Sequence, residues 1–295
     1  MAPANFIILY FSREGSTALV NMLSRQPGIR VPLMEQLDHY IFEKTDDITT
    51  PLQDMDAIYS TGIYDRIDTP MVQMRNLTVD DNFQSVGFKW RFWSDPVALS
   101  ALFKKHNVTV FFLVRRNFLE SVCSGYLQRF GPDLSPESDL TAHPQFKAAY
   151  LLGDDKQSFL KKIRQLRFPL NLNDFWFTAD VKLRERNAHA HLAAVFTQNK
   201  IAIRPIYYED FCDNPRNFLQ DFMEEIHLPI PEKIDTYCDF IRVHNTPISR
   251  KLNGIWKVKW PTFSGFRFYR LKRQYRKKLA HMESLAAQQK QKNQT

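Results

Sequence analysis

Phe6-Ile-Ile-Leu-Tyr-Phe11 runs directly into Ser12-Arg13-Glu14-Gly15-Ser16-Thr17, and this change from apolar to small polar residues indicates the fold. The apolar run predicts a buried β-strand, and residues 18–24 place apolar side chains at helical spacing. The first N–H groups of such a helix lack intrahelical partners and carry the positive end of its dipole, so they attract an anion. The stretch therefore predicts a strand, an anion-binding loop and a helix.

The residue types in the loop suit an oxyanion. Gly15 allows the backbone to approach a ligand closely, Ser16 and Thr17 add hydroxyl donors, and Arg13 supplies a planar cation. A Walker A loop needs an earlier glycine and a lysine directly before the hydroxyl residue, so this loop does not match one. An ordinary strand-to-helix turn with a Ser/Thr cap is the alternative.

A second strand carries a similar signal. Residues 108–114 form a continuous apolar run, as expected of a strand buried on both faces, and Arg116 follows it. Ser124 lies eight residues further, about two helical turns. We expect both side chains at the sheet edge where open α/β sheets bind ligands. A surface arginine pair and an incidental helical serine are the alternative.

These blocks resemble the sulfotransferases that use 3′-phosphoadenosine 5′-phosphosulfate (PAPS). The resemblance implies a 5′-phosphosulfate loop at Arg13, Gly15, Ser16 and Thr17, and a 3′-phosphate site at Arg116 and Ser124. A third block, Ile206-Tyr-Tyr-Glu-Asp-Phe211, is similar to the family's Tyr-Glu-Asp-Leu segment. Glu209 and Asp210 are expected on adjacent strand positions, whose side chains face opposite sides of the sheet, so we expect them to contact the neighbouring loops rather than to act as an acid and a base. Arg115-Arg116-Asn117 stands where many relatives have Arg-Asp-Pro, so either arginine could bind the 3′-phosphate, and the spacing favours Arg116.

The chain is most similar to the bacterial carbohydrate and lipopolysaccharide branch, which includes the nodulation and trehalose sulfotransferases. Gly87-Phe-Lys89 resembles the Gly-x-Lys strand of that branch, and residues 175–198 resemble its long helix. The resemblance covers residues 5–228. It implies PAPS as sulfuryl donor, no metal, and a carbohydrate or glycolipid hydroxyl as acceptor.

Sulfuryl transfer requires a cation at the leaving phosphate and a base for the acceptor hydroxyl. Arg13 is the predicted cation, and the resemblance implies Glu35 as the base, with His39 in reserve. A first-turn acid that interacts with the helix dipole is the alternative reading of Glu35. Lys89 could contact the leaving group or the acceptor, but a lysine at a strand end is more often solvated, so Lys89 stays outside the catalytic set. The adenine-stacking residue is left open between Trp90, Trp93 and Trp256.

Alternating strands and helices predict an α/β fold: a P-loop-like parallel sheet flanked by helices on both faces. We expect a sulfotransferase domain at residues 1–249, with a helical insertion at 131–172 near the acceptor site, and a basic segment at 250–295. The chain has 295 residues, 44% of them hydrophobic, which suits one sizeable core. It shows no membrane-span-length apolar run and no signal-peptide pattern, and its three cysteines are widely spaced, so we expect a cytoplasmic protein. His189 and His191 lack nearby ligands, so no metal is expected there.

Positive charge concentrates at the end of the sequence. Residues 250–295 contain 13 lysines and arginines and one acidic residue, Glu283. Apolar residues recur at intervals of three and four between 268 and 286, which predicts an amphipathic basic helix. Peripheral contact of residues 266–286 with an anionic membrane is one prediction, and packing on the protein body is the other. Nucleic acid binding is not expected, because no recognition motif surrounds the basic residues.

Two other function classes remain open. A P-loop-type phosphotransferase would need a lysine beside Ser16 and an acidic Mg²⁺ ligand, and the sequence indicates neither. A non-catalytic module that binds membranes or nucleic acid would locate its function in residues 250–295.

Overall fold

The structure is a computed structural model. It describes residues 3–11, 15–32, 49–63, 82–91, 95–130, 157–158, 161, 167–232, 234, 248–253, 255 and 263–294. Arg13, Glu35 and His39 lie outside the described residues, as do Trp93, Trp256 and most of the predicted insertion at 131–172.

Parallel strands form a five-stranded sheet, in the order β2-β3-β1-β4-β6. A second, two-stranded parallel sheet consists of β5 and β7. The strands are β1 (Asn5–Leu9), β2 (Ile29–Arg30), β3 (Ser85–Trp90), β4 (Val108–Val114), β5 (Phe168–Pro169), β6 (Ile203–Tyr207) and β7 (Leu252–Asn253). The predicted α/β class with a parallel sheet is confirmed.

Helices follow most of the strands in the chain. They are α1 (Ser16–Leu23), α2 (Thr49–Thr61), α3 (Pro96–Lys105), α4 (Phe118–Phe130), α5 (Leu172–Gln198), α6 (Tyr208–Asp213), α7 (Pro215–Glu225) and α8 (Phe263–Gln294). Local sequence explains two of the starts. Asp95 accepts a hydrogen bond from the Val97 N–H at 2.8 Å before α3, and Asn214 accepts one from the Asn217 N–H at 3.2 Å before α7.

Contacts divide the chain into two compact units. The first comprises Met1–Val114, Ala188–Asp239 and Ala280–Thr295, and it contains the five-stranded sheet. The second comprises Arg115–Asn187 and Phe240–Leu279. This division concerns contacts rather than independently folding domains, so the predicted boundary at residues 249 and 250 stays a prediction.

In the first unit, apolar side chains cover both faces of the sheet. Phe111 of β4 stacks on Phe222 of α7, with ring centroids 4.3 Å apart. The next strand residue, Phe112, points to the opposite face and contacts His189 and Phe196 of α5, with centroids 5.1 and 6.4 Å away. Phe196 in turn contacts Phe103 of α3 at 5.6 Å. Helices therefore flank the sheet on both faces, as predicted.

Helix α2 is anchored in the first unit by polar contacts. The buried Tyr59 hydroxyl donates to the Phe6 carbonyl at 3.2 Å, and burial raises the pKa of Tyr59 well above its ordinary value. Asp56 Oδ1 lies 2.6 Å from both His106 Nε2 and Lys105 Nζ. Hydrogen bonds from these two side chains lower the pKa of Asp56.

The second unit packs around α4 and the first part of α8. Phe118 stacks on Phe268 at 5.4 Å and contacts Tyr275 at 4.8 Å. The Arg186 guanidinium lies 4.9 Å from the centre of the Tyr275 ring and donates to its hydroxyl at 2.9 Å. That hydroxyl donates to the Arg115 carbonyl at 2.6 Å. Tyr275 therefore joins α8, α5 and the start of α4.

Two sequence-based expectations are corrected by the fold. Glu209 and Asp210 were expected on adjacent strand positions facing opposite sides of the sheet, but β6 ends at Tyr207 and both residues lie in the first turn of α6. Lys89 was expected to be solvated, but its side chain is buried with 1% exposure. Its position in β3 places it inside the sheet rather than beyond the strand end.

The basic C-terminal helix is longer than predicted, and its apolar stripe is buried. The buried positions are Phe268, Leu271, Tyr275, Leu279, Met282 and Ala286. Packing of this stripe inside the chain is the outcome that the second reading of the helix predicted. Membrane contact stays a prediction, and it now depends on the opposite face.

Candidate active site

The turn between β1 and α1 ends in a glycine that no other residue can replace without strain. Gly15 is the N-cap of α1 and has φ of 88°, in the left-handed region. A Cβ at this position would lie 2.3 Å from Cδ2 of Tyr208, the first residue of α6. The Tyr208 ring therefore packs directly on the Gly15 backbone. The Tyr-Glu-Asp block thus reaches the predicted anion loop through this contact.

Ser16 and Thr17, the first two residues of α1, are both buried. Gly15 has no side chain with which to cap the helix, so the first-turn N–H groups receive no cap from the N-cap residue. The positive end of the helix dipole and two hydroxyl groups are therefore concentrated at this point. These groups suit an anion, and anion binding at this point stays a prediction.

A buried lysine completes this cluster. The Lys89 ammonium donates to Thr17 Oγ1 at 2.9 Å and to Ser16 Oγ at 3.4 Å. It also lies 4.9 Å from the centre of the Tyr10 ring. An ammonium taken out of water favours an anion nearby, because burial disfavours its charge unless that charge is compensated. We refer to Gly15, Ser16, Thr17 and Lys89 together as the loop cluster.

Strand pairing explains how Lys89 reaches the loop. In the register of the parallel β1 and β3, Lys89 is paired with Ile8, close to the end of β1. Gly87, two residues earlier, leaves room for the Phe6 ring, since a Cβ there would lie 2.2 Å from Phe6 Cζ. The same edge carries a second cation: Arg91 Nε donates to the Tyr10 hydroxyl at 3.1 Å.

The predicted 3′-phosphate residues lie in the second unit. Arg116 is exposed in the turn between β4 and α4, whereas Arg115 is buried with 7% exposure. Ser124 of α4 is buried. The choice of Arg116 over Arg115 stays a prediction, and so does the expectation that this site faces the loop cluster.

Sequence reasoning missed one further hydroxyl in α4. Ser121 lies one helical turn before Ser124, and its buried Oγ has no hydrogen-bond partner among the described residues. A buried hydroxyl without a partner is uncommon in folded proteins. The spacing of three residues from Ser124 places both hydroxyls on one side of the helix.

Two basic side chains of α5 are buried in the second unit, and one of them packs against α4. Lys182 Nζ pairs with Glu185 Oε2 at 2.6 Å, and both side chains are largely buried. A Cβ on Gly125 would lie 3.1 Å from Lys182 Cε and from Thr178 Cγ2, so the small residue after Ser124 accommodates the lysine chain. Arg186 is buried one helical turn further along α5.

Of the other residues considered from the sequence, the structure describes some and leaves others undescribed. Arg13, Glu35 and His39 lie outside the described residues, so their predicted roles stay predictions. Trp90 is 3% exposed. His189 is buried between Phe11 and Phe112, while His191 is exposed. Within the described part of the chain, no group of three or more His, Cys, Asp or Glu side chains could hold a metal ion.

Comparison with known proteins yields structural likenesses only. No protein-family model and no curated protein matches the sequence. The chain is similar to a sulfotransferase from Alicyclobacillus acidocaldarius, with 13% identity, 97% of each chain covered and a TM-score of 0.48. The chain is also similar to the sulfotransferase domain from the curacin biosynthetic pathway, with 14% identity, 97% of each chain covered and a TM-score of 0.43. A third likeness is to mouse sulfotransferase SULT7A1 complexed with PAP, with 12% sequence identity and a TM-score of 0.37. The match covers 91% of this chain and 82% of that chain. Likenesses of this size leave the function to be argued from the site residues.

None of the described helices is both long enough and apolar enough to cross a bilayer.

Proposed function

We propose that this protein transfers a sulfuryl group from PAPS to a hydroxyl group of a carbohydrate or glycolipid acceptor. The proposal is carried by one observation: a buried ammonium, that of Lys89, donates to both hydroxyls in the first turn of α1. That arrangement offers a fixed positive charge, hydroxyl groups and helix N–H groups to one anion. The resemblance of the loop, of Arg116 with Ser124 and of the Tyr-Glu-Asp block to PAPS sulfotransferases narrows the anion to a phosphosulfate.

In the proposed reaction the acceptor oxygen forms a bond to sulfur, and the bond between sulfur and the bridging phosphate oxygen breaks. Negative charge develops on the departing phosphate, where Lys89 and Arg13 would stabilise it. The proton of the acceptor hydroxyl goes to the Glu35 carboxylate, with His39 as the alternative base. The products are the sulfated acceptor and 3′-phosphoadenosine 5′-phosphate (PAP).

The test is PAPS turnover, measured as PAP released in the presence of a panel of sugars and glycolipids. Glu35→Gln keeps the shape of the side chain but removes its basic form, so kcat is expected to fall by roughly 10² or more. PAP affinity should stay near that of the wild type. Loss of turnover in His39→Ala alone would assign the base to His39, and the absence of PAPS turnover with every acceptor would contradict the proposal.

Phosphoryl transfer from a nucleoside triphosphate is the second candidate, and one observation favours it. Such an enzyme needs a lysine beside Ser16, and Lys89 occupies that position although it comes from β3 rather than from the loop itself. The two candidates differ in the nucleotide they require. A 3′-phosphate contributes to binding only in the first, and a divalent cation with a triphosphate only in the second.

A further inference from the structure

The solvent-exposed side of α8 carries an unusual combination of side chains. Phe266 is 70% exposed and Tyr269 is 64% exposed, the two highest values among the large hydrophobic side chains that the structure describes as exposed. Arg270, Arg273 and Lys277 follow on the same helix and are exposed as well. We refer to these five residues as the outer face of α8.

Helical geometry places the five residues together. At 3.6 residues per turn, positions 266, 269, 270, 273 and 277 fall within an arc of about 100°. The buried positions Leu271, Tyr275 and Leu279 fall on the opposite side of the helix. The apolar stripe that the sequence offered for membrane contact is thus occupied by protein packing. A different face, at the same place in the sequence, is exposed to solvent.

Charge on this part of the helix has one sign. Residues 266–278 contain seven lysines and arginines and no acidic residue, and the first acidic residue after them is Glu283. Arg267 pairs with Asp180 at 3.1 Å and lies 4.9 Å from the centre of the Trp176 ring, so it belongs to the packing of the second unit. Arg270, Arg273 and Lys277 instead form a row along the outer face, spaced by three and four residues.

We propose that the outer face of α8 docks on an anionic lipid bilayer. Arg270, Arg273 and Lys277 lie along one side of the helix, and such a row of cations suits a planar surface of lipid phosphates. Aromatic rings partition favourably into the interfacial region, and Phe266 has no polar atom that would gain from a hydrated nucleic acid backbone. Docking holds the second unit at a membrane surface. The inference does not depend on the reaction that the loop cluster catalyses.

The experiment is co-sedimentation of the full-length chain with phosphatidylcholine vesicles that contain or lack phosphatidylserine, at low and physiological salt. Binding is expected only with phosphatidylserine and should weaken steeply with salt, because the Debye length falls to about 8 Å at physiological ionic strength. Binding to neutral vesicles alone, or to neither vesicle at low salt, would overturn the proposal. So would displacement of the bound chain from vesicles by a short duplex DNA or RNA.

Variants then assign the binding to the outer face. Each basic residue lost from a membrane surface lowers partitioning about fivefold, so Arg273→Glu with Lys277→Glu should reduce it by at least roughly 25-fold. Phe266→Ser with Tyr269→Ser should also reduce binding, with a smaller change in its salt dependence. The matched control is Lys104→Glu with Lys200→Glu, which makes the same charge change at exposed positions of the first unit. Equal losses in the control and in the Arg273 and Lys277 variant would refute the assignment, and melting curves verify that all variants fold.

Discussion

Replacement of Lys89 by methionine separates a ligand-binding lysine from a structural one. Methionine is unbranched and apolar, so it can fill the space of the lysine chain while removing the ammonium. In the free protein, Ser16 and Thr17 lose a hydrogen-bond donor, at 3.4 and 2.9 Å respectively. Removal of the donor costs about 1 kcal/mol per hydrogen bond, which corresponds to a decrease in Tm of a few degrees for a chain of this size.

The effect on ligand binding should be larger. A charge-assisted hydrogen bond to an anion contributes about 1.5–3 kcal/mol, so the Kd for PAP should rise roughly 10- to 150-fold. A saturating ligand at 100 times the wild-type Kd stabilises the protein by about 2.7 kcal/mol. In Lys89→Met the same PAP concentration should stabilise the chain by only about 0.3–1.4 kcal/mol. A thermal shift titration with PAP measures both quantities in one assay.

Lys182→Met provides the matched comparison, because Lys182 is a buried lysine that pairs with Glu185. Its loss leaves a carboxylate without that partner and should lower Tm more than Lys89→Met does. Lys182→Met should therefore have the lower Tm of the two variants, whereas Lys89→Met should have the weaker affinity for PAP. Unchanged PAP affinity in Lys89→Met, together with a large decrease in Tm, would refute the assignment of Lys89 to the ligand.

Three further predictions concern packing and charge. Gly15→Ala should lower the free energy of unfolding by roughly 1–3 kcal/mol more than Gly28→Ala does. Both positions have positive φ, but a Cβ at position 15 would clash with a ring, whereas the nearest atoms to a Cβ at position 28 lie at 3.9 Å. Equal losses in the two melting curves would indicate backbone strain alone. Asp56→Asn should lower Tm by about 2 °C at neutral pH, the effect of a partly exposed ion pair. The folded-state pKa of Asp56 is lowered, so its stabilisation is present above the ordinary value of 3.8 and disappears as the pH falls below it; a difference that grows in acid would contradict this sign. Leu279→Glu places a charge at a buried position and should lower Tm by about 5 °C or more, and an unchanged Tm would show that the stripe is not packed.

The strands that carry the site could be predicted from local sequence. Residues 6–11 and 108–114 are apolar runs followed by helical patterns, and β1 and β4 occupy these segments. Burial on both faces of a parallel sheet leaves a clear local signal, since nearly every residue of such a strand is apolar. Helix α2 gave no such signal, because Thr49–Thr61 mixes polar and apolar residues.

The burial of Lys89 could not be predicted from its local sequence. Whether a lysine near a strand end is solvated or buried depends on the neighbouring strands, and the order β3-β1 is a long-range property. A signal was nonetheless present: Lys89 is the one charged residue in the otherwise apolar or small segment Ser85–Trp90. A charge in a fully buried strand indicates polar partners, and the hydroxyls of Ser16 and Thr17 are such partners.

The environment of α8 was also undetermined by its sequence. A helical period of three and four residues is the same whether the apolar stripe faces protein or lipid, so the pattern at 268–286 supported both readings. The structure distinguishes them through the burial of Tyr275 and Met282, at 0% and 1% exposure. The burial of a hydroxyl such as that of Ser121 has no signal in the local sequence, because serine is common on both buried and exposed helix faces.

Isothermal titration calorimetry with PAP, adenosine 5′-monophosphate and ATP with Mg²⁺ tests the central claim most directly. Two cationic sites, one at the loop cluster and one at Arg116 with Ser124, predict that PAP binds without metal. They also predict that the monophosphate binds roughly 10- to 150-fold more weakly, since one charge-assisted phosphate contact is worth about 1.5–3 kcal/mol. Equal affinity for PAP and the monophosphate would contradict the 3′-phosphate site. Tight, Mg²⁺-dependent binding of ATP without binding of PAP would contradict sulfuryl transfer and favour phosphoryl transfer.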